Sequence, residues 1–228
     1  MHATRDEVLA NLSVIRGSID DACARAGRDL GEVTLVAAAK TVPSEVVAWV
    51  AEAGVTAVGH NYVQELRSMH DEVAGVRWHF IGTLQASSAH HVAALADVVE
   101  TVAGEKATAR LARRAHAAGR EIDALIEVDL TGERSGVSPG ELPAFADLVA
   151  GLEGITLRGL MTLPPIPERA EDARPWFVRL RELRDALADT HPQVVELSMG
   201  MSLDYAFAVE EGATMVRIGT ALFGRRTV

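Results

Sequence analysis

The sequence feature that most constrains the fold is a regular alternation of short apolar segments with longer amphipathic ones. Each apolar segment has the length of a β-strand, and the segments between them have apolar residues at helical spacing. This alternation predicts a parallel sheet covered by helices, because neighbouring parallel strands need a long crossover connection that is usually a helix. The eight predicted strands span residues 33–39, 57–61, 77–82, 98–102, 123–130, 156–163, 194–200 and 215–221.

The helical segments place one helix before the sheet and fill the connections between strands. Eight strand–helix units in 228 residues fit a single closed (β/α)8 TIM barrel at the small end of its size range. A doubly wound open sheet is the alternative, but such sheets usually have fewer strands, and no G-x-G-x-x-G follows the first strand. Because no Pro- or Ser-rich linker divides the chain, one domain is predicted over 1–228. The predicted helices include 5–26, 44–54, 106–119, 141–152 and 175–189.

Composition and charge exclude several classes of function. The net charge is −10 and the chain has no basic block, which argues against nucleic acid or an anionic membrane as a partner. No apolar stretch approaches the roughly 18 residues that cross a bilayer. The N-terminus also lacks the apolar core of a signal peptide, so a cytoplasmic protein is predicted. The adjacent His90 and His91 are a poor metal pair on a helix, and no metal site is predicted.

The first predicted strand ends in Lys40, one of only two lysines in the chain. A lysine is an unusual end for a buried strand, because its ammonium group must be desolvated or paired. At the carboxyl end of a barrel strand, however, it would point into the region where such barrels bind ligands. A partly desolvated amine is a better nucleophile, which is the usual preparation for a Schiff base. Direct binding of a phosphate or carboxylate by Lys40 is the competing interpretation.

The ends of the last two predicted strands indicate an anion site. The sequence SMGMS at 198–202 offers hydroxyl groups and a glycine, and GTALFG at 219–224 adds a second glycine, a hydroxyl group and a possible helix start. Phosphate sites in these barrels are often built from the loops after strands 7 and 8, where backbone N–H groups and a helix dipole favour anions. Ordinary loop glycines and helix caps are the alternative interpretation.

Arg217, in the last predicted strand, should point into the barrel. Side chains alternate along a strand, and Val216 and Ile218 suit the side that faces the helices. A buried guanidinium must be paired, either with an inward acid such as Glu196 or Glu127 or with a ligand. Because strand 8 closes on strand 1, Arg217 should lie near Lys40. A Schiff-base lysine, a phosphate cradle and a donor to a pyridine nitrogen together describe a site for pyridoxal 5′-phosphate (PLP).

Six segments in order resemble the PLP homeostasis proteins, also called PLP-binding proteins. They are VAAAKTVP, VGHNYVQE, WHFIGTLQ, RGLMTLP, LSMGMSLD and MVRIGTALFG, and the likeness covers about 33–226. The resemblance implies a barrel like the N-terminal domain of alanine racemase, with PLP on Lys40 and Arg217 facing the pyridine nitrogen. The other cofactor-binding positions that it implies are Asn61, Ser198, Met199, Gly200, Gly219 and Thr220.

The chain departs from the family pattern at three places. His60 stands where the family usually has Glu, and Thr83 stands where it usually has Pro. Family lysines are missing near Ser88 and near Arg134. These changes leave the Schiff-base and phosphate positions intact, but they put in doubt any PLP contact or transfer role that uses those lysines.

The predicted site favours PLP binding over turnover. An arginine can only donate, so the ring nitrogen would stay unprotonated and would be a poor electron sink. Racemisation also needs a base on each face of the substrate carbon, and His79 is expected to serve core packing or a backbone hydrogen bond instead. The prediction is a monomeric PLP carrier with no catalytic residues, whose partners are PLP and either apo PLP-dependent enzymes or amino acids. A low-activity PLP-dependent racemase or lyase, and a barrel enzyme that binds a sugar phosphate without a covalent bond, are the alternatives.

Overall fold

Eight parallel strands form a closed barrel in the computed structural model, which describes residues 3–224. The strands follow one another around the barrel in chain order, and β1 pairs with β8 to close it. This topology confirms the predicted barrel and rules out the open sheet. The strands are β1 Thr34–Ala38, β2 Ala57–His60, β3 Arg77–Phe80, β4 Val98–Val102, β5 Ile122–Glu127, β6 Ile155–Met161, β7 Glu196–Ser198 and β8 Met215–Ile218.

The helices cover the outside of the barrel, and the first of them has the bounds that were predicted. Most other elements are shorter than predicted, and several strands end before the polar residues that follow them. Asn61, Gly82, Gly200 and Gly219 therefore lie in loops at the carboxyl ends of the strands. The helices are α1 Arg5–Ala26, α2 Ser44–Glu52, α3 Val63–His70, α4 Ala89–Leu95, α5 Glu105–Ala117, α6 Leu142–Ala150, α7 Arg174–Ala188, α8 Tyr205–Glu210 and α9 Thr220–Phe223. Within residues 3–224, no helix is both long and apolar enough to cross a membrane.

Alternation along the strands divides the buried side chains into two layers. The inner layer fills the barrel with one apolar side chain from each of six strands, and the outer layer packs between strands and helices. Val216 and Ile218 belong to the outer layer, whereas Met215 belongs to the inner one. Arg217 has the parity of Met215, so its predicted inward direction is confirmed.

The added helix α1 supports the barrel next to the last strand. Thr4 and Glu7 form a capping box at its start, and Gly27 ends it in the left-handed conformation. The helix buries an apolar stripe against α2, α8 and α9. In addition, the Asn11 side-chain amide donates to the carbonyl of Leu222, at 3.1 Å. This contact fixes α9, which begins at the predicted anion-binding residue Thr220 and directly follows Gly219.

Candidate functional site

A cavity of about 440 Å³ opens at the carboxyl ends of the strands, where barrels of this kind bind ligands. Four of the predicted site residues line it: Asn61, Arg217, Gly219 and Thr220. The remaining lining is mostly apolar and comes from β1 and the loops that follow β3, β6 and β7. Its size and its mixture of apolar walls with a few polar groups are typical of small-molecule sites.

Arg217 lies at the inner end of this cavity and is only 4% exposed. Its Nη1 donates to the hydroxyl of Ser198 at 2.5 Å, and its Nη2 donates to the carbonyl of Thr162 at 2.8 Å. The nearest carboxylate oxygen in an ion pair belongs to Glu100, at 3.7 Å. Burial lowers the pKa of Arg217, and the nearby acids Glu100, Glu127 and Asp204 oppose this change.

The predicted ion-pair partners of Arg217 were wrong. The structure pairs the guanidinium with Glu100 of β4, while Glu127 acts on it only at longer range and Glu196 forms no ion pair with it. Glu100 has the same parity as Val98, which belongs to the inner layer, so its side chain enters the barrel from the opposite wall. The isolated acid in the otherwise apolar strand sequence VVETV was the signal that could have identified it.

His79 was also predicted incorrectly. Its partner is a buried carboxylate, and not the backbone or the apolar core. Its Nδ1 lies 2.6 Å from Oε1 of Glu100, and both side chains are buried. Burial raises the pKa of Glu100, but the interactions with His79, Arg217 and Ser198 outweigh it and hold that pKa below its usual value. The barrel interior therefore contains an ionised carboxylate beside a guanidinium.

The end of β7 and the loop that follows it place their predicted residues in three different environments. The Ser198 hydroxyl is buried and donates to Glu100 Oε2 at 2.5 Å while it accepts from Arg217. The Met199 side chain belongs to the outer layer, against the helices. The Gly200 carbonyl accepts from the backbone N–H of Arg217, at 3.0 Å. None of the three lines the cavity, so their roles toward a phosphate stay predictions.

Gly200 has a backbone conformation that favours glycine, with φ at +91°. A Cβ atom at this position would also lie 2.5 Å from the Cβ of Ala208 in α8. We therefore expect Gly200→Ala to lower the free energy of unfolding by about 2 kcal/mol or more, from backbone strain and overpacking together. Chemical denaturation would measure it, with Gly140→Ala as the control because a Cβ there meets no atom within 4 Å. Equal losses in the two variants would contradict this account of Gly200.

Ser202 connects the two loops of the predicted anion site. Its Oγ accepts from the backbone N–H of Ala221 at 3.1 Å, and it lines the cavity with Gly219 and Thr220. Hydroxyl groups and backbone N–H groups are common phosphate ligands. Ser202 was not among the predicted cofactor-binding residues, although it ends the same SMGMS sequence.

Lys40 lies just beyond β1 and is half-buried, but its side chain is not part of the cavity lining. Its Nζ lies 5.2 Å from the centre of the Tyr62 ring, and Tyr62 follows the cavity residue Asn61. The next residue, Thr41, has a positive φ of 59° and is the one non-glycine residue of 3–224 with this conformation. Such strain in a β-branched residue is concentrated at functional sites. A rotation of the flexible lysine side chain would be needed to bring the amine toward the cavity.

The residues at which the sequence departs from the pattern implied by the resemblance are not part of this cavity lining. His60 is buried in the outer layer, where it stacks on Trp78 with 5.8 Å between ring centres. Burial lowers the pKa of His60, and the carboxylate of Glu65, 3.6 Å away, opposes this change. Ser88 lines a second cavity of about 390 Å³ that shares Asn61 with the first. Arg134 is exposed on the loop after β5.

Asp204 is the acidic side chain of the cavity lining. It is buried, and its Oδ1 accepts from the backbone N–H of Met201 at 2.6 Å. Burial raises the pKa of Asp204, although this hydrogen bond and the charge of Arg217 oppose the change. In the part of the chain that the structure describes, no three His, Cys, Asp or Glu side chains are grouped as metal ligands.

The fold and the cavity define a barrel of the alanine racemase N-terminal type. A model of that family, described as the N-terminal domain of alanine racemase, matches residues 16–227. A pyridoxal phosphate homeostasis protein of Aquifex aeolicus is 39% identical over 220 residues, which cover 94% of this chain and 96% of the relative. The chain belongs to the pyridoxal phosphate homeostasis protein family, as its sequence motifs predicted.

Two solved structures have nearly the same fold over most of the chain. A protein of Bifidobacterium adolescentis described as unknown has a TM-score of 0.88 and 30% identity, and the match covers 96% of this chain and 95% of that one. PipY of Synechococcus elongatus, solved with PLP bound, has a TM-score of 0.81 and 30% identity over 91% of this chain and 100% of its own.

Proposed function

We propose that this protein binds PLP covalently through a Schiff base with Lys40 and acts in intracellular PLP homeostasis or carriage, with little or no turnover. The observation that carries the proposal is the position of Arg217, a buried guanidinium at the inner end of a cavity whose outer wall contains glycine and hydroxyl groups. The PLP bound to PipY and the names of the curated relatives support the same ligand.

The polar groups of the site fit the two ends of PLP. Ser202, Gly219 and Thr220, from the loops after β7 and β8, can surround a phosphate with hydroxyl and backbone N–H groups. Arg217 can donate to a ring nitrogen, and Asn61 lies on the wall from which Lys40 would approach. Ser198 would support Arg217 through its hydroxyl group, and Met199 and Gly200 would support the loop without lining the cavity.

The same geometry supports binding over catalysis. When bound, PLP supplies an aldehyde that reacts with amines and a ring that can accept electrons. Arg217 has no acceptor atom and stays protonated beside Glu100, so a nitrogen facing it must accept a hydrogen bond and remain unprotonated. A neutral ring withdraws electrons weakly, which favours storage of the cofactor over chemistry on an amino acid.

We further propose that the protein acts as a single domain and as a monomer whose partners are PLP and either apo forms of PLP-dependent enzymes or amino acids. The described residues form one closed barrel, which supports the single domain. A low-activity amino-acid racemase is the second candidate. Asp204 favours it, because a cavity carboxyl with a raised pKa could exchange a proton with a substrate.

Mixing the purified protein with PLP should produce a visible absorption band of a Schiff base, and this band tests the binding proposal. The loaded protein is then incubated with D- and L-amino acids while the optical rotation is followed. We expect no turnover above that of free PLP. A protein that stays colourless with PLP would refute the binding proposal, whereas clear racemisation that is lost in Asp204→Asn would favour the second candidate.

A further inference from the structure

A chain of buried hydrogen bonds crosses the barrel beneath the cavity. It runs from Arg217 on β8 through Ser198 on β7 to Glu100 and His79 on β4 and β3. All four side chains are at most 4% exposed. The three successive distances are 2.5, 2.5 and 2.6 Å, within or just below the range of charge-assisted hydrogen bonds.

The chemistry of these groups fixes the direction of each hydrogen bond. Arg217 can only donate, so Ser198 accepts from it and must donate its own proton elsewhere. That proton goes to Oε2 of Glu100, and a carboxylate can only accept. His79 must therefore donate from Nδ1 to Oε1 of the same carboxylate. Glu100 accepts from Ser198 on one side and from His79 on the other. Its removal would therefore leave both donors without a partner.

We propose that Glu100 is a positioning residue of the cofactor site, which acts through Ser198 to orient Arg217 and to neutralise its charge at the cavity. This inference rests on the proposed binding of PLP. It also gives Ser198 a different role from the one its motif predicted, because its hydroxyl is committed to the hydrogen-bond chain and is not free to reach a phosphate.

If PLP binds as proposed, the charge of Glu100 should affect the protonation of a Schiff base formed with Lys40. Arg217 faces three acids, Glu100, Glu127 and Asp204, and Glu100 is the one joined to it through the hydrogen-bond chain. Glu100 itself faces His79 and Arg217. Removal of its negative charge leaves the guanidinium uncompensated and makes the site more positive. A more positive site disfavours the protonated, cationic Schiff base and lowers its pKa.

The test is the pH dependence of the visible band in PLP-loaded wild type and Glu100→Gln. We expect the pH at the midpoint of this spectral transition to be lower in Glu100→Gln than in the wild type, by about half a pH unit or more. Glu127→Gln is the matched control, because Glu127 has no hydrogen bond to the chain and burial raises its pKa. An unchanged midpoint in Glu100→Gln, or an equal shift in both variants, would overturn the proposal.

Ser198→Ala provides a second variant that removes only one buried hydroxyl. If Ser198 links Glu100 to Arg217, the midpoint should shift in the same direction as in Glu100→Gln while the affinity for PLP changes less than threefold. A large loss of affinity with an unchanged midpoint would assign Ser198 to the phosphate instead and would overturn the inference.

Measurements without PLP separate this inference from the proposed function. In the cofactor-free protein, Glu100→Gln, Arg217→Met and the double variant are compared by denaturant midpoints. If Glu100 and Arg217 are coupled, the double variant should lose less unfolding free energy than the sum of the losses in the two single variants. Additive losses would overturn the hydrogen-bond chain even if PLP binds normally. A wild type that forms no visible band would instead refute the binding proposal and leave a measured coupling standing.

Discussion

Replacement of Lys40 by alanine should abolish the visible band that PLP gives with the wild-type protein. A Schiff base needs a primary amine, and Lys106, the other lysine of the chain, is exposed in the first turn of α5, on the outside of the barrel. The loss of the covalent bond should also weaken the retention of PLP, by on the order of a hundredfold or more. Absorption spectra and equilibrium dialysis of the two proteins would measure both effects.

Lys106→Ala is the matched control, because it removes the only other lysine at an exposed site. It should keep the wild-type spectrum and affinity. Reduction of the loaded wild type with borohydride, followed by peptide mass analysis, should place the PLP adduct on the peptide that contains Lys40. An adduct on Lys106 or a visible band retained in Lys40→Ala would contradict the assignment.

The position of the Lys40 amine shows what the sequence could not predict about the site. The alternation of strands and helices was sufficient to place Lys40 at the carboxyl end of β1, and this placement follows from backbone topology alone. The rotamer of a flexible side chain depends on its local neighbours, here the ring of Tyr62. The strained conformation of Thr41 is equally invisible in the sequence, because threonine seldom adopts a positive φ.

The partner of Arg217 was missed for a different reason. Alternation along β8 predicted that the arginine points inward, because its flanking residues suit the helix-facing side. The identity of the acid it meets depends on the stagger of strands across a closed barrel. Sequence reasoning chose Glu127 and Glu196, whereas Glu100 reaches the guanidinium from the opposite wall. The family motifs identified four residues of the cavity lining but gave no information on this hydrogen-bond chain.

Arg217→Met should destabilise the protein strongly even without PLP. The substitution keeps much of the side-chain volume but leaves Glu100 buried without its cation and Ser198 without its donor. Loss of one partner of a buried ion pair costs about 3–5 kcal/mol. Arg77→Met is the control, because Arg77 forms an exposed pair with Asp123, at 2.6 Å. We expect the free energy of unfolding of the control to fall by no more than about 1 kcal/mol. Urea unfolding at neutral pH would measure both variants.

The pH dependence of this loss identifies its electrostatic origin. In the wild type the pKa of Glu100 lies below its ordinary value of 4.5, so its contribution to stability is present above that pH and is lost as the pH falls further. Without Arg217, only His79 and Ser198 oppose the effect of burial, so the pKa of Glu100 should be higher than in the wild type and a neutral carboxyl group is favoured. The difference in unfolding free energy between wild type and Arg217→Met should therefore narrow as the pH falls from 7 toward 4. A difference that stays constant over this range would show that lost packing, rather than an uncompensated carboxylate, destabilises the variant.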